Sequence, residues 1–181
     1  MIDPNTNKSG EDYNAYCRRR WGGDGWTYSL RDRGKGMGLQ FGGWSTWPNT
    51  MNAHRLCLFL DELDGANPDL SEKQKEERHL ALVDKFYDLT YEKGSNISTP
   101  EGAAQAVEEL GYAKASDAVE WLQKGGGSRE VASADMHAKR EMDIHGVPFF
   151  VIGGDAGGRP VGLSGAQDSR AFLKAFQQVS K

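Results

Sequence analysis

From Asn49 to His145 the apolar residues recur at helical spacing, and only at Phe149 does the period shorten. That switch constrains the fold more than any other feature. Leu56, Phe59, Leu60 and Leu63 lie three and four apart, as one face of an α-helix requires. Phe149-Phe150-Val151-Ile152 is a short apolar run between a proline and a glycine pair, which reads as a strand. Gly153-Gly154 and Gly157-Gly158 bracket a turn, and the segment Arg159 to Gly162 returns as the second strand of a hairpin.

Local signals punctuate the helices. Ser9, with Asp12 three positions on, caps a first helix that carries Tyr13, Tyr16 and Cys17 on one side and ends at Gly22-Gly23. A weaker helix runs from about Trp26 to Arg33. The helix following Asn49 stops at Asp64-Gly65. After Pro68, Ser71 and Gln74 form a capping box for a long helix with Leu80, Val83, Phe86 and Tyr87 as its stripe, ending at Gly94. Thr99-Pro100-Glu101 supplies cap, first-turn proline and first-turn acid in order, and Gly111 ends that helix, whose inner face is Ala103, Ala106, Val107 and Leu110. A short helix from Ser116 to Lys124 closes on Gly125-Gly126-Gly127, and a longer one runs from Ser128 to His145. Ser164 and Gln167 form another capping box, opening a last helix with Phe172, Leu173, Phe176 and Val179. The order is many helices, then strand, turn, strand and helix.

Composition limits the functions on offer. With 181 residues, 38% of them hydrophobic, the chain can build one full core, or a core and a small lobe. A net charge of -4 offers no basic face for nucleic acid or an anionic membrane. The Arg18-Arg19-Arg20 cluster, flanked by Glu11, Asp12 and Asp24, reads as a solvated helix face. No apolar run reaches the roughly 18–20 residues that span a bilayer, and the start Met-Ile-Asp-Pro-Asn-Thr-Asn does not read as a signal peptide. Cys17 and Cys57 form no close motif, which favours a reducing, cytoplasmic setting. His79, His137 and His145 lack metal-ligand spacing, so no metal site is expected, and the scattered carboxylates suggest no acid/base pair. Trp21, Trp26, Trp44 and Trp47 stand among many glycines; they line a groove or, the preferred reading, pin a loop-rich lobe to the core. Gly34-Lys35-Gly36-Met37-Gly38 lacks the ending of a phosphate loop.

Two segments carry a resemblance. Gly146-Val147-Pro148-Phe149-Phe150-Val151-Ile152, followed by Leu163-Ser164-Gly165-Ala166-Gln167, resembles the DsbA-like oxidoreductases of the FrnE type, a branch of the thioredoxin superfamily. Kappa-class glutathione transferases and hydroxychromene carboxylate isomerases are similar at greater distance. Upstream, Pro48-Asn49-Thr50 and Ala53-His54-Arg55-Leu56 are similar to the helix that opens this family's inserted lobe, and Asp3-Pro4 to its segment after the second thioredoxin strand. The resemblance implies a helix-dominated α/β protein with a thioredoxin-like fold. A helical lobe over 1–145, with a Trp/Gly-rich N-terminal segment, would precede a partial thioredoxin-like ββα unit over 146–181. The family's first strand, its Cys-Pro-x-Cys or serine-bearing helix start and its second strand have no counterpart here. The expectation is therefore a fragment, a truncated product or a natural remnant of the fold.

The resemblance also implies roles. Thiol–disulfide exchange is the family activity, in which a low-pKa thiolate attacks a disulfide and a second cysteine resolves the mixed disulfide. Neither Cys17 nor Cys57 occupies the matching site, so no catalytic residue and no efficient dithiol activity are expected. Val147 and Pro148, with a cis bond between them, would present backbone to a thiol- or disulfide-bearing peptide or to glutathione. Gly165, Ala166 and Gln167 would offer free amides at the start of the last helix to a carboxylate. Asn49 and His54 are weaker site candidates; Asn49 capping its own helix and His54 bonding within the lobe are the preferred readings. Glutathione would be a substrate, and no cofactor is expected. The alternatives are a glutathione-dependent transferase or isomerase relative, or a non-enzymatic peptide-binding remnant. A homodimer through the open edge of strand 149–152, or occlusion of that edge by the N-terminal segment, is a further expectation.

Overall fold

The computed structural model describes residues 6–153 and 159–180. The chain divides into two compact units, 2–131 and 132–181. The first contains β1 (Glu11–Asp12), α1 (Tyr13–Trp21), α2 (Tyr28–Gly36), β2 (Thr46–Trp47), α3 (Met51–Gly65), α4 (Glu72–Tyr87), α5 (Pro100–Glu109) and α6 (Ala115–Gln123). Helix α7 (Ser128–Arg140) spans the division. β3 (Phe149–Ile152), β4 (Val161–Ser164) and α8 (Ser169–Val179) complete the second unit.

In the first unit, Asp12 rather than Ser9 caps α1, accepting from the Ala15 amide at 2.7 Å, and Gly22 ends the helix at φ 76°. The cap moves because Glu11 and Asp12 first pair with Trp47 and Thr46 as a short antiparallel ladder. Arg18, Arg19 and Arg20 are exposed, and Arg19 forks onto Glu11 at 2.6 and 3.0 Å. The second helix begins as a 3₁₀ turn at Gly25–Thr27 before α2. Tyr13, Cys17 and Trp44 are buried together, with Phe41, Trp47 and Tyr91 packed against them. The chain closes over this cluster at Gly43. A side chain there would overlap the Gly94 amide, so only glycine lets the two backbones meet.

The main core lies among α3, α4, α5 and α6, where Leu56, Leu60, Leu82, Leu89 and Val107 are fully buried. The Ser71–Gln74 capping box and the Thr99 cap with Pro100 at its first turn form as their sequences dictate. The apolar stripe of α4 differs from its sequence pattern. Leu82 and Phe86 point inward, while Leu80 and Tyr87 are more than half exposed. α4 then widens into a π-helical turn, Asp88–Glu92, that buries Leu89 and Thr90.

In the second unit, α7 stops at Arg140, short of His145. The Ile144 amide returns to the Ala138 carbonyl at 2.9 Å, and Asp143 takes φ 54°. β3 and β4 pair antiparallel in the register Phe149↔Ser164 to Ile152↔Val161. The turn expected at Gly153-Gly154 and Gly157-Gly158 extends outside the described residues. α8 opens at Ser169 under an Asp168 cap, not at Ser164. Gln167 Nε2 donates to the Ser164 carbonyl at 2.6 Å instead of closing a capping box. α8 lies along β3, with Phe172 edge-on to Phe150 at 4.9 Å and Val179 against Gly153.

Candidate functional site

The Pro148 turn is set by two elements of the second unit. β3 begins at Phe149, and the end of β4 lies opposite it, so the Gly165 amide donates to the Pro148 carbonyl at 2.8 Å. That bond extends the ladder one step beyond the strands. The Val147–Pro148 peptide is cis. Val147 is 59% exposed and Pro148 is exposed beside it. The structure thus brings Val147, Pro148 and Gly165 together. Ala166 and Gln167 follow in the loop before α8, so the three residues 165–167 are not first-turn amides of that helix. The physical reason is the cap: Asp168 Oδ1 accepts from the Ala171 amide at 3.0 Å and fixes the start.

Asn49 and His54 lie in the first unit. Asn49 is buried and structural in its bonds. Its Oδ1 accepts from the Met51 amide at 3.0 Å, its own amide donates to Ser98 Oγ at 2.8 Å, and its Nδ2 to the Thr6 carbonyl at 3.4 Å. His54 stands exposed on α3.

Both thiols are free. Cys17 sits mid-helix in α1 and is fully buried. Burial pushes its thiol up, against side-chain hydrogen bonds with Tyr13 and Trp26 that pull it down. Arg31 exerts only the weakest lowering pull, and Arg18, Arg19 and Arg20 are exposed to solvent. Cys57 is pushed up to about 11 by burial and then by Asp61. A helix N-terminus, the usual source of a low-pKa thiolate, serves neither residue.

The tryptophans form a continuous array. Tyr16 stacks on Trp47 at 4.2 Å, Trp21 meets Trp26 edge-on at 4.9 Å, and Trp44 packs against Tyr13 at 4.7 Å. The Arg31 guanidinium lies within 6 Å of the Tyr13, Phe41 and Trp44 rings. A cleft of about 530 Å³ opens at the edge of this array, lined by Trp21, Gly22, Gly23, Gly25 and Trp26. Among the described residues no group of His, Cys, Asp and Glu side chains could hold a metal, and no helix is long and apolar enough to cross a membrane.

Sequence reasoning named Arg55 only within the Ala53–Leu56 resemblance and gave it no role. It is buried and donates to the Leu122 carbonyl at 2.5 Å, the Gly126 carbonyl at 2.6 Å and Asn52 Oδ1 at 3.0 Å. It ties α3 to the C-terminal end of α6 and the glycine turn after it, joining the Gly125 amide on the Leu122 carbonyl and serving the Gly126 carbonyl. Its signal was positional: Arg55 lies four residues before Phe59, on the apolar stripe itself. Asp64 was likewise read as a helix stop, yet it is buried and accepts from Arg78 Nε at 3.0 Å on both oxygens.

A family model described as DSBA-like thioredoxin domain matches residues 35–177. Comparison with curated proteins and with solved structures finds no match.

Proposed function

The chain belongs to the DSBA-like thioredoxin domain family, and from that premise we propose that it is a relative of the thiol–disulfide oxidoreductases without efficient dithiol activity of its own, holding a thiol- or disulfide-bearing peptide, or glutathione, at the turn of Val147, Pro148 and 165–167. The observation that carries the first half is the state of the two cysteines. Exchange needs a thiolate that attacks one sulfur of a disulfide, expelling the other as thiolate, and a second thiol near enough to resolve the mixed disulfide. Cys17 and Cys57 are both held toward the thiol form by burial, stand on different helices, and lack Cys-x-x-Cys spacing. The second half is supported by the exposure of Val147 and Pro148 beside the Gly165 bond. A reducing compartment such as the cytoplasm suits two unpaired thiols.

Insulin reduction with dithiothreitol tests the first half on wild type, Cys17→Ser and Cys57→Ser. No rate above buffer is expected for any of them. Robust turnover that vanished in either variant would sink the reading. The binding half is tested by NMR titration with oxidised glutathione and with a short cystine-bridged peptide. Shifts confined to the amides of Val147, Phe149 and Gly165 are expected, and unchanged spectra at millimolar ligand would refute it.

A further inference from the structure

A net charge of -4 argues against a basic face only where charge is spread evenly along the chain, and here it is not. Residues 18–39 hold six cations, Arg18, Arg19, Arg20, Arg31, Arg33 and Lys35, against Asp24 and Asp32. The local charge is +4 in a chain whose total is -4. Two of the six are committed elsewhere. Arg19 forks onto Glu11, and Arg31 lies against the Tyr13, Phe41 and Trp44 rings. Arg18, Arg20 and Arg33 are exposed and make no salt bridge to a described residue.

The same stretch carries apolar side chains in solvent. Trp21, Trp26, Tyr28, Leu30, Met37 and Leu39 are each between 42% and 79% exposed. Their placement is ordered. Trp26, Leu30, Arg33 and Met37 are spaced four, three and four apart, so they follow one flank of the 3₁₀ turn and α2. Thr27 and Gly34, on the inner flank, are buried. Trp21 joins the outer line from the end of α1, edge-on to Trp26 at 4.9 Å, and Arg18 stands one turn before it. An exposed apolar stripe that carries its own cations matches a helix lying in a membrane interface. Rings and aliphatic tips enter the boundary while guanidinium groups stay with the phosphates. Nucleic acid fits less well, because Leu30 and Met37 stand between the cations. A folded protein would need a close-packed counterpart, whereas a fluid boundary receives separate side chains one by one.

We propose that Trp21, Trp26, Leu30 and Met37, with Arg18, Arg20 and Arg33, form a face that docks on the surface of an anionic lipid bilayer. The docking is peripheral, since no described helix is long and apolar enough to cross a membrane. The face belongs to the first unit, so its test does not depend on the Val147–Pro148 turn.

The test is flotation of the full chain with vesicles of phosphatidylcholine, alone or mixed with phosphatidylserine. Binding is expected only where phosphatidylserine is present, and high salt should weaken it at least tenfold. Brominated acyl chains should quench the tryptophan emission of the bound protein. Met37→Asp, at the most exposed apolar position, should weaken binding at least tenfold. Arg18→Gln combined with Arg33→Gln should weaken it roughly twentyfold and flatten its salt dependence. All three sites are exposed, and unchanged circular dichroism verifies that the variants fold. A wild type that floats with neither vesicle, floats equally with phosphatidylcholine alone, or escapes quenching would overturn the proposal. Folded variants that bind as wild type does would also overturn it. Retention on duplex DNA or polyglutamate, with vesicles left free, would give the face a different partner and overturn it too.

Discussion

The α3–α6 bundle and the ββα unit differ in where their apolar residues lie. The bundle packs fourteen buried residues into one cluster, five of them leucine or valine with no exposed surface. The ββα unit has strands and a helix of comparable hydrophobicity, yet among its described apolar residues a single alanine is buried. Local rules operate in both: Ser71 and Thr99 cap helices in the bundle, and Asp168 caps α8 beside a paired hairpin. The difference shows that correct local structure does not by itself supply a core, and that a two-stranded sheet under one helix encloses little volume. Folding free energy is therefore concentrated in the bundle.

Six substitutions break or sharpen that contrast. Leu60→Ala, in the bundle, should lower unfolding stability by about 3–4 kcal/mol through lost transfer energy and a cavity, read as a lower urea midpoint. Arg55→Met should lower it by about 2–3 kcal/mol, since the Gly126 carbonyl loses its donor and the Leu122 carbonyl keeps only the Gly125 amide; Arg55→Lys, unable to fork, should recover less than half. Removing one cap from each unit, Thr99→Ala and Asp168→Ala, should cost about 1 kcal/mol of local helix stability each. The Thr99 change should appear in the global melt and the Asp168 change only in exchange rates along α8. Leu173→Ala should stay within about 0.5 kcal/mol, as an exposed site does. A loss near that of Leu60→Ala would mean that α8 is covered.

A pH series adds a smaller effect, visible only in alkali. The folded pKa of Cys57 is raised, so its contribution to stability is full below the unfolded thiol pKa and is lost as pH rises toward about 11. The urea midpoint of wild type should therefore fall between pH 9 and 11 more steeply than that of Cys57→Ala. Iodoacetamide should label native Cys57 slowly at pH 8 and rapidly near pH 11.

The sequence announced features that act over one or two turns. Ser71 with Gln74 and Thr99 with Pro100 need only their own backbone to form, and they formed where expected. The strand Phe149–Ile152 was equally plain, and the family match over 35–177 agrees with the resemblance read from its flanks. Choices made by neighbours were hidden. Ser9 lost the α1 cap to Asp12 once a ladder formed with Thr46 and Trp47, and α4 turned Leu82 inward instead of Leu80 to meet the bundle. Ser164 stayed in β4 because its partner is Phe149, which delayed α8 by a full turn. At the candidate site, Val147 with Pro148 and Gly165 with its neighbours were legible as two separate features; that a bond from the Gly165 amide to the Pro148 carbonyl joins them was not. The buried roles of Arg55 and Asp64 were not, since charge on a helix reads as surface until a carbonyl or guanidinium is found to meet it.

The indole array gives the molecule an optical signature. Trp21, Trp26, Trp44 and Trp47 stand within 4.9 to 6.4 Å of one another in the pairs they form, near enough for their excited states to mix. Such coupling splits the aromatic band and produces paired circular dichroism lobes of opposite sign near 230 nm. Trp121, bonded to Glu62 in the other core, lies outside the array and takes no part in the couplet. The couplet therefore reports on the tryptophan lobe and not on the bundle. Followed beside the far-ultraviolet helix signal, which the bundle dominates, it can tell in one unlabelled sample which half of the first unit comes apart first.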